Sequence, residues 1–164
     1  CALPILLGLR MLVASLDQGT SSSRFVVFDE SDGRIVAMAQ REHTQYRPEP
    51  GWVEHSGDEI LAACEACIRE VLVKVPLKAI RALGVANQRE TTIVFDQDGQ
   101  PACRAISWNC TRTQGVTCEG KDYVEEKTCL PICSYFSATK LRWLLDRQPE
   151  LGRLLFGTID TFLI

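Results

Sequence analysis

The chain has 164 residues, of which 46% are hydrophobic, 24% charged and 7% aromatic, a balance that supplies a buried core and excludes intrinsic disorder. One globular domain is the expectation at this length. The net charge is −3, from 18 Lys and Arg against 21 Asp and Glu, and no basic run exceeds a dipeptide, so no nucleic-acid partner is expected.

Residues 1 to 10, Cys-Ala-Leu-Pro-Ile-Leu-Leu-Gly-Leu-Arg, are apolar like a signal peptide but lack its basic start and are too short to span a bilayer. They read as a non-native leader or upstream sequence, with Met11 as the natural start, and no transmembrane segment is expected. From Leu12 onward, Leu-Val-Ala-Ser-Leu, then Arg24-Phe-Val-Val-Phe-Asp29, a turn at Ser31-Asp32-Gly33, and Arg34 to Gln40 predict a three-stranded antiparallel meander. Tyr46-Arg-Pro-Glu-Pro-Gly51 is a loop. Ser56 or Asp58 caps a helix that runs to about Lys74, before Pro76.

That helix carries Cys64-x-x-Cys67. Ile60, Leu61, Cys64, Ile68, Val71, Leu72 and Val75 recur at helical spacing, so the two thiols read as core packing rather than as a zinc or redox site. Eight cysteines in the chain fall short of the roughly 8–10% that marks a disulfide scaffold. Reduced thiols and a cytoplasmic location are expected.

Ile80 to Ala86 reads as a buried strand and Thr91 to Phe95 as another, after which Asp96-Gln-Asp-Gly99 turns the chain into Ala102 to Trp108. Residues 110 to 134 are polar and cysteine-rich, a loop with one short helix. Ser137 to Asp146 is helical by its Leu141, Leu144 and Leu145 spacing, and Leu154 to Ile164 begins an element that the end of the chain cuts. The chain therefore reads as the front part of something longer.

Two polar segments carry chemistry. Asp17-Gln-Gly-Thr-Ser-Ser-Ser-Arg24 joins two strands, and a carboxylate with four consecutive hydroxyl residues suits phosphate oxygens and a hydrated Mg²⁺. The same residues also suit a solvated hairpin. Asn87-Gln-Arg-Glu-Thr91 lies between two apolar runs, and Arg89 and Glu90 together match neighbouring hydroxyls of a polyol if the chain bends there. Without a bend they form a surface ion pair. Trp108 and Tyr135 sit at element ends and can wall a ligand or edge the core. His43 and His55 lack any nucleophile motif, and neither a Gly-x-x-x-x-Gly-Lys-Ser/Thr loop nor Gly-x-Gly-x-x-Gly is present, which removes Walker-type and Rossmann-type nucleotide binding.

In order and wording, Asp17 to Asp29, Pro50-Gly-Trp-Val-Glu-His55, Asn87-Gln-Arg-Glu-Thr-Thr92, Tyr135 to Asp146 and Leu155-Phe-Gly-Thr-Ile-Asp-Thr161 closely resemble the amino-terminal part of the glycerol-phosphorylating branch of the FGGY carbohydrate kinases. The resemblance implies an α/β fold of the actin and hexokinase (ribonuclease H-like) type, with a mixed sheet that begins with the meander and is flanked by helices. It implies that residues 11 to 164 are part of the family's N-terminal domain. The activity implied for the full-length protein is ATP-dependent phosphorylation of glycerol to sn-glycerol 3-phosphate, with ATP and Mg²⁺ as cofactors and glycerol as substrate. The other reading is a non-catalytic homologue acting as a binding or regulatory module. Homo-oligomer formation by the full-length protein is left open.

Residue by residue, the resemblance implies that Thr20, Ser21 and Ser22 meet the nucleotide phosphates, that Arg24 supports them, and that Asp17 helps to hold Mg²⁺. Arg89, Glu90 and Tyr135 would bind the glycerol hydroxyls, and Trp108 would wall its carbon chain. The family's catalytic Asp and adenine-binding second domain are expected beyond residue 164, so no catalytic residue is assigned within this chain and little turnover is expected of it. Three departures stand out: Cys129 where relatives place Gly, a shorter stretch between Trp108 and Tyr135, and a single Arg in Asn109-Cys-Thr-Arg112. They leave Tyr135 the least secure of the substrate contacts.

Overall fold

The computed structural model describes residues 11–116 and 120–164; residues 1–10, for which a leader is expected from sequence, and Cys118 lie outside the described residues. In chain order the strands and helices are β1 (Leu12–Gln18), β2 (Ser22–Asp29), β3 (Ile35–Glu42), β4 (Glu54–His55), α1 (Gly57–Leu72), β5 (Ile80–Asn87), β6 (Thr92–Phe95), β7 (Ala105–Ile106), α2 (Lys121–Thr128), α3 (Ser137–Arg147), β8 (Leu155–Thr158) and α4 (Ile159–Leu163). Two compact units result. One holds the chain up to Glu42 together with Ala62–Ala86, the other His43–Leu61 together with Asn87–Ile164.

In the first unit β1, β2 and β3 form the antiparallel meander that the alternation predicts, with Leu12 opposite Asp29 and Gln18 opposite Ser23. The period of two puts Leu12, Ala14, Leu16, Phe25, Val27, Ala37 and Ala39 on one buried face. The tight turn after β2 is held by Asp29, whose Oδ1 accepts from the Ser31 amide at 2.9 Å and the Ser31 hydroxyl at 2.6 Å, and Gly33 supplies the positive φ of 71°. β5 completes the sheet in the order β3-β2-β1-β5.

Helix α1 starts where the sequence puts it: the Ser56 hydroxyl accepts from the Glu59 amide at 3.3 Å, and Asp58 and Glu59 occupy the first turn while Arg69 occupies the last. Cys64 and Cys67 are buried. The Cys67 thiol donates to the Ser23 carbonyl at 3.4 Å, and burial pushes both thiols up from their ordinary pKa. They pack the core as expected.

β5 departs from expectation. The strand forms, but Arg81, Ala82, Leu83 and Gly84 are exposed, because it is the last strand of its sheet and described residues leave those positions uncovered. A continuous apolar run signals burial only where both faces are covered.

The second unit holds a separate sheet of order β4-β7-β6-β8, paired antiparallel throughout. The segment Ala102 to Trp108 contributes only the two residues of β7. Val53, Val94, Ile106, Cys110, Leu144 and Leu151 form the core of this unit, with Trp52 and Trp143 packed against it. Arg112 lies 3.9 Å above the Trp52 ring and 5.1 Å from the Trp143 ring, and it pairs with Glu54 at 2.8 Å. A buried guanidinium is tolerated here because a carboxylate and two indole faces replace its water.

Candidate functional site

Each unit presents one candidate surface. In the first, the β1–β2 turn closes with the Gly19 amide donating to the Ser22 carbonyl at 2.8 Å. Antiparallel register sets Asp17 opposite Arg24, and Arg24 opposite Gln40 of β3, so the three share one face of the sheet. Arg24 Nε donates to Gln40 Oε1 at 3.2 Å and Gln40 Nε2 donates to Ser22 Oγ at 3.0 Å. Gln40 thus links the guanidinium to the turn hydroxyl. Asp17 and Ser21 are exposed, and Thr20, Ser22 and Arg24 are half-buried. The turn offers hydroxyls, backbone amides, a cation and an accessible carboxylate, a donor set that suits phosphate oxygens. Among the described residues no three His, Cys, Asp or Glu side chains gather as a metal site. A single carboxylate suits Mg²⁺ only as a largely hydrated ion.

In the second unit Asn87, Gln88, Arg89, Trp108 and Tyr135 line an open recess of about 370 Å³, a volume in the range of small-molecule pockets. The Trp108 and Tyr135 rings meet edge to face, with centroids 6.0 Å apart. Trp108 is fixed to the polar turn by its amide, which donates to Thr91 Oγ1 at 3.1 Å, while that hydroxyl donates to Gln88 Oε1 at 2.9 Å. Asn87 Nδ2 donates to Asp160 Oδ1 of α4 at 2.7 Å. An indole face, a phenol, a guanidinium and two amides around one opening suit a small molecule with several hydroxyls on a short carbon chain.

The bend that the Arg89–Glu90 pair requires is present: Glu90 takes a left-handed φ of 67°. It sends the two side chains to different places. Arg89 lines the recess, whereas Glu90 Oε2 accepts from the Ser137 amide at 2.8 Å and from the Ser137 hydroxyl at 2.6 Å. Glu90 therefore caps the N-terminus of α3, and it borders a second, largely apolar cavity of about 340 Å³ beside Leu130, Pro131, Ile132 and Phe136. Of the four side chains assigned to the polyol, the structure brings Arg89, Trp108 and Tyr135 to one recess and commits one oxygen of Glu90 to a helix end.

Several site residues escape sequence reasoning. Asn87 and Gln88 are in the polar run but carry no charge to mark them, and Gln40 is eighteen positions beyond Ser22, within reach only by strand register. Tyr135 leads into α3, whose Lys140 has the look of a surface residue in sequence yet is fully buried. His43 and His55, lone in sequence, stack edge to face at 5.2 Å. His55 Nε2 lies 3.3 Å from Ser107 Oγ, and burial, with the neighbouring His43, lowers its pKa to about 4. It packs the second unit as a neutral ring.

Residues 12–164 match the N-terminal domain of the FGGY family of carbohydrate kinases. The chain is 47% identical to a glycerol kinase of Rhizorhabdus wittichii over 92% of its own length and 32% of that protein, and 48% identical to one of Thermococcus gammatolerans over 93% and 33%. It spans about a third of the length of the curated relatives it matches. The Plasmodium falciparum glycerol kinase crystallised with ADP superimposes with a TM-score of 0.83 at 30% identity, over 94% of this chain and 33% of that one. A gluconate kinase from Lactobacillus acidophilus, 20% identical, shares the fold with a TM-score of 0.81 over 94% of this chain and 32% of that one.

Proposed function

Because the chain belongs to the FGGY family of carbohydrate kinases, whose fold is the mixed α/β actin and hexokinase type, we propose that it supplies the glycerol-binding recess and a phosphate-binding turn of an enzyme that transfers the γ-phosphoryl group of ATP to glycerol. The observation that carries the reading is the meeting of Arg89, Trp108 and Tyr135, with Asn87 and Gln88, around one recess. Arg89 would grip hydroxyl oxygens through its donor fork, Tyr135 would add a phenolic hydrogen bond, and Trp108 would cover the C–H face. Glu90 would accept a hydroxyl proton only through the oxygen that Ser137 leaves available.

Thr20, Ser21 and Ser22 would meet phosphate oxygens, with Arg24 behind them and Asp17 holding Mg²⁺ through its water shell. Mg²⁺ supplies charge neutralisation of the transferring phosphoryl group. Holding a flexible triol in one orientation is the larger part of what such a protein contributes, because in-line transfer demands position more than covalent chemistry. No base is assigned within this chain, and we place the enzyme in the cytoplasm.

Titrating the chain with glycerol tests the reading. Saturable binding is expected, preferred over pentitols and pentuloses, and Arg89→Ala is expected to weaken it by about 1.5–3 kcal/mol, the range of hydrogen bonds to charged groups. Equal affinity in the variant would overturn the assignment.

A further inference from the structure

Lys140 has no place in the reading above, yet among the described residues it is the largest side chain that the fold buries completely. A lysine is almost never fully buried unless its charge is met. Its Nζ donates to the Ser134 carbonyl, to the Tyr135 carbonyl at 2.8 Å and to the Phe136 carbonyl at 3.5 Å. One helical step away, Thr139 Oγ1 donates to the Phe136 carbonyl at 3.0 Å and approaches the Cys133 carbonyl at 3.2 Å. Four successive carbonyls of an irregular segment thus turn toward two side chains of α3. A segment without ladder partners needs such acceptor–donor pairs, and this segment carries Tyr135.

We propose that Lys140 is the positioning residue of the recess, its ammonium gathering the Ser134, Tyr135 and Phe136 carbonyls so that the Tyr135 ring stands against Trp108 where a bound triol meets it. This deepens the glycerol reading and rests on it. An ammonium has three donors for three carbonyls, whereas the neutral amine has two and turns a lone pair toward the third. Glu90 from the turn before β6, Cys110 and Arg112 from the segment after β7, and Cys133 from the segment before α3 are the charged and titratable groups around it. Burial lowers its pKa to about 8, against the pull of Cys110, Glu90 and Cys133. Alkaline conditions therefore release Tyr135 while the rest of the recess stays in place.

The experiment labels the chain with 5-fluorotryptophan, follows the ¹⁹F resonance of Trp108, and titrates glycerol at pH 7 and about pH 9.5. The wild-type resonance is expected to step with a midpoint near 8, with glycerol affinity falling about fivefold, the equivalent of one lost hydrogen bond. Lys140→Arg, which keeps its charge at both pH values, should show neither change, and Lys140→Met should resemble the alkaline wild type at pH 7. A resonance that does not step, or a step that persists in Lys140→Arg, overturns the proposal. Should Lys140→Arg fail to fold, Cys110→Ser and Cys133→Ser decide it, since loss of the step in either assigns the titration to a thiol. A clear step with no glycerol binding at either pH would instead sink the glycerol reading and leave the Lys140–Tyr135 coupling standing.

Discussion

Arg89 and Glu90 are adjacent in the chain and part company in space, because one left-handed residue turns the first toward the recess and the second toward Ser137. The two substitutions should therefore differ in kind. Glu90→Ala removes two charge-assisted bonds at the start of α3 and is expected to destabilise the second unit by about 1–2 kcal/mol in urea denaturation. Arg89→Ala should leave the unfolding midpoint where it is, and a matching loss in both variants would show that Arg89 too is structural. His55 makes a second prediction. Its ring is neutral in the fold, with a pKa near 4, and titrates near 6.5 once exposed. The unfolded chain thus binds the proton first as pH falls. Stability is full above about pH 6.5 and is lost toward pH 4, by about 3 kcal/mol. His55→Gln should flatten that dependence while keeping a partner for Ser107.

Among the elements, those governed by local chemistry are the legible ones. Alternating apolar residues and the Asp-Gly turn suffice for the meander, and Ser56 and Pro76 bracket α1 closely. What could not be read is what depends on partners distant in sequence. Exposure of β5, the shortness of β7, the pairing of Glu54–His55 as β4 and the burial of Lys140 follow from which neighbour covers which face. For the site, the polar runs mark the residues, and strand register and the bend at Glu90 decide which of them meet. Family wording adds the roles, which spacing alone leaves open between a ligand site and a solvated turn. The loop before β4 has a local requirement of its own: Gly51 takes a φ of 79° and its carbonyl accepts from the Thr111 amide at 2.9 Å and hydroxyl at 3.0 Å. A Cβ there would lie 2.2 Å from Thr111 Oγ1. Gly51→Ala is expected to cost about 2 kcal/mol, measured by chemical denaturation, whereas Gly99→Ala, with open space around it and the same sign of φ, should cost less.

Considered as a whole, the chain keeps apolar side chains in water. Val73, Leu77 and Leu83 of the first unit are 86%, 68% and 55% exposed, and Leu83 is on an edge strand, where unpaired backbone groups template further pairing. The isolated chain is expected to self-associate with rising concentration, and Leu83→Lys to reduce that association in sedimentation velocity; identical profiles would locate the contact elsewhere. Among the described residues no helix is long and apolar enough to cross a membrane. The division into two units has a practical corollary. All three tryptophans and all three tyrosines fall at positions 46, 52, 108, 123, 135 and 143, within the unit formed by His43–Leu61 and Asn87–Ile164. Intrinsic fluorescence excited through tryptophan and tyrosine therefore reports directly on that part, whereas Phe25 and Phe28 of the meander add their own bands to the near-ultraviolet dichroism. A meander that melted at a lower temperature contains no tryptophan or tyrosine to report it directly, and an amide-based probe would register it.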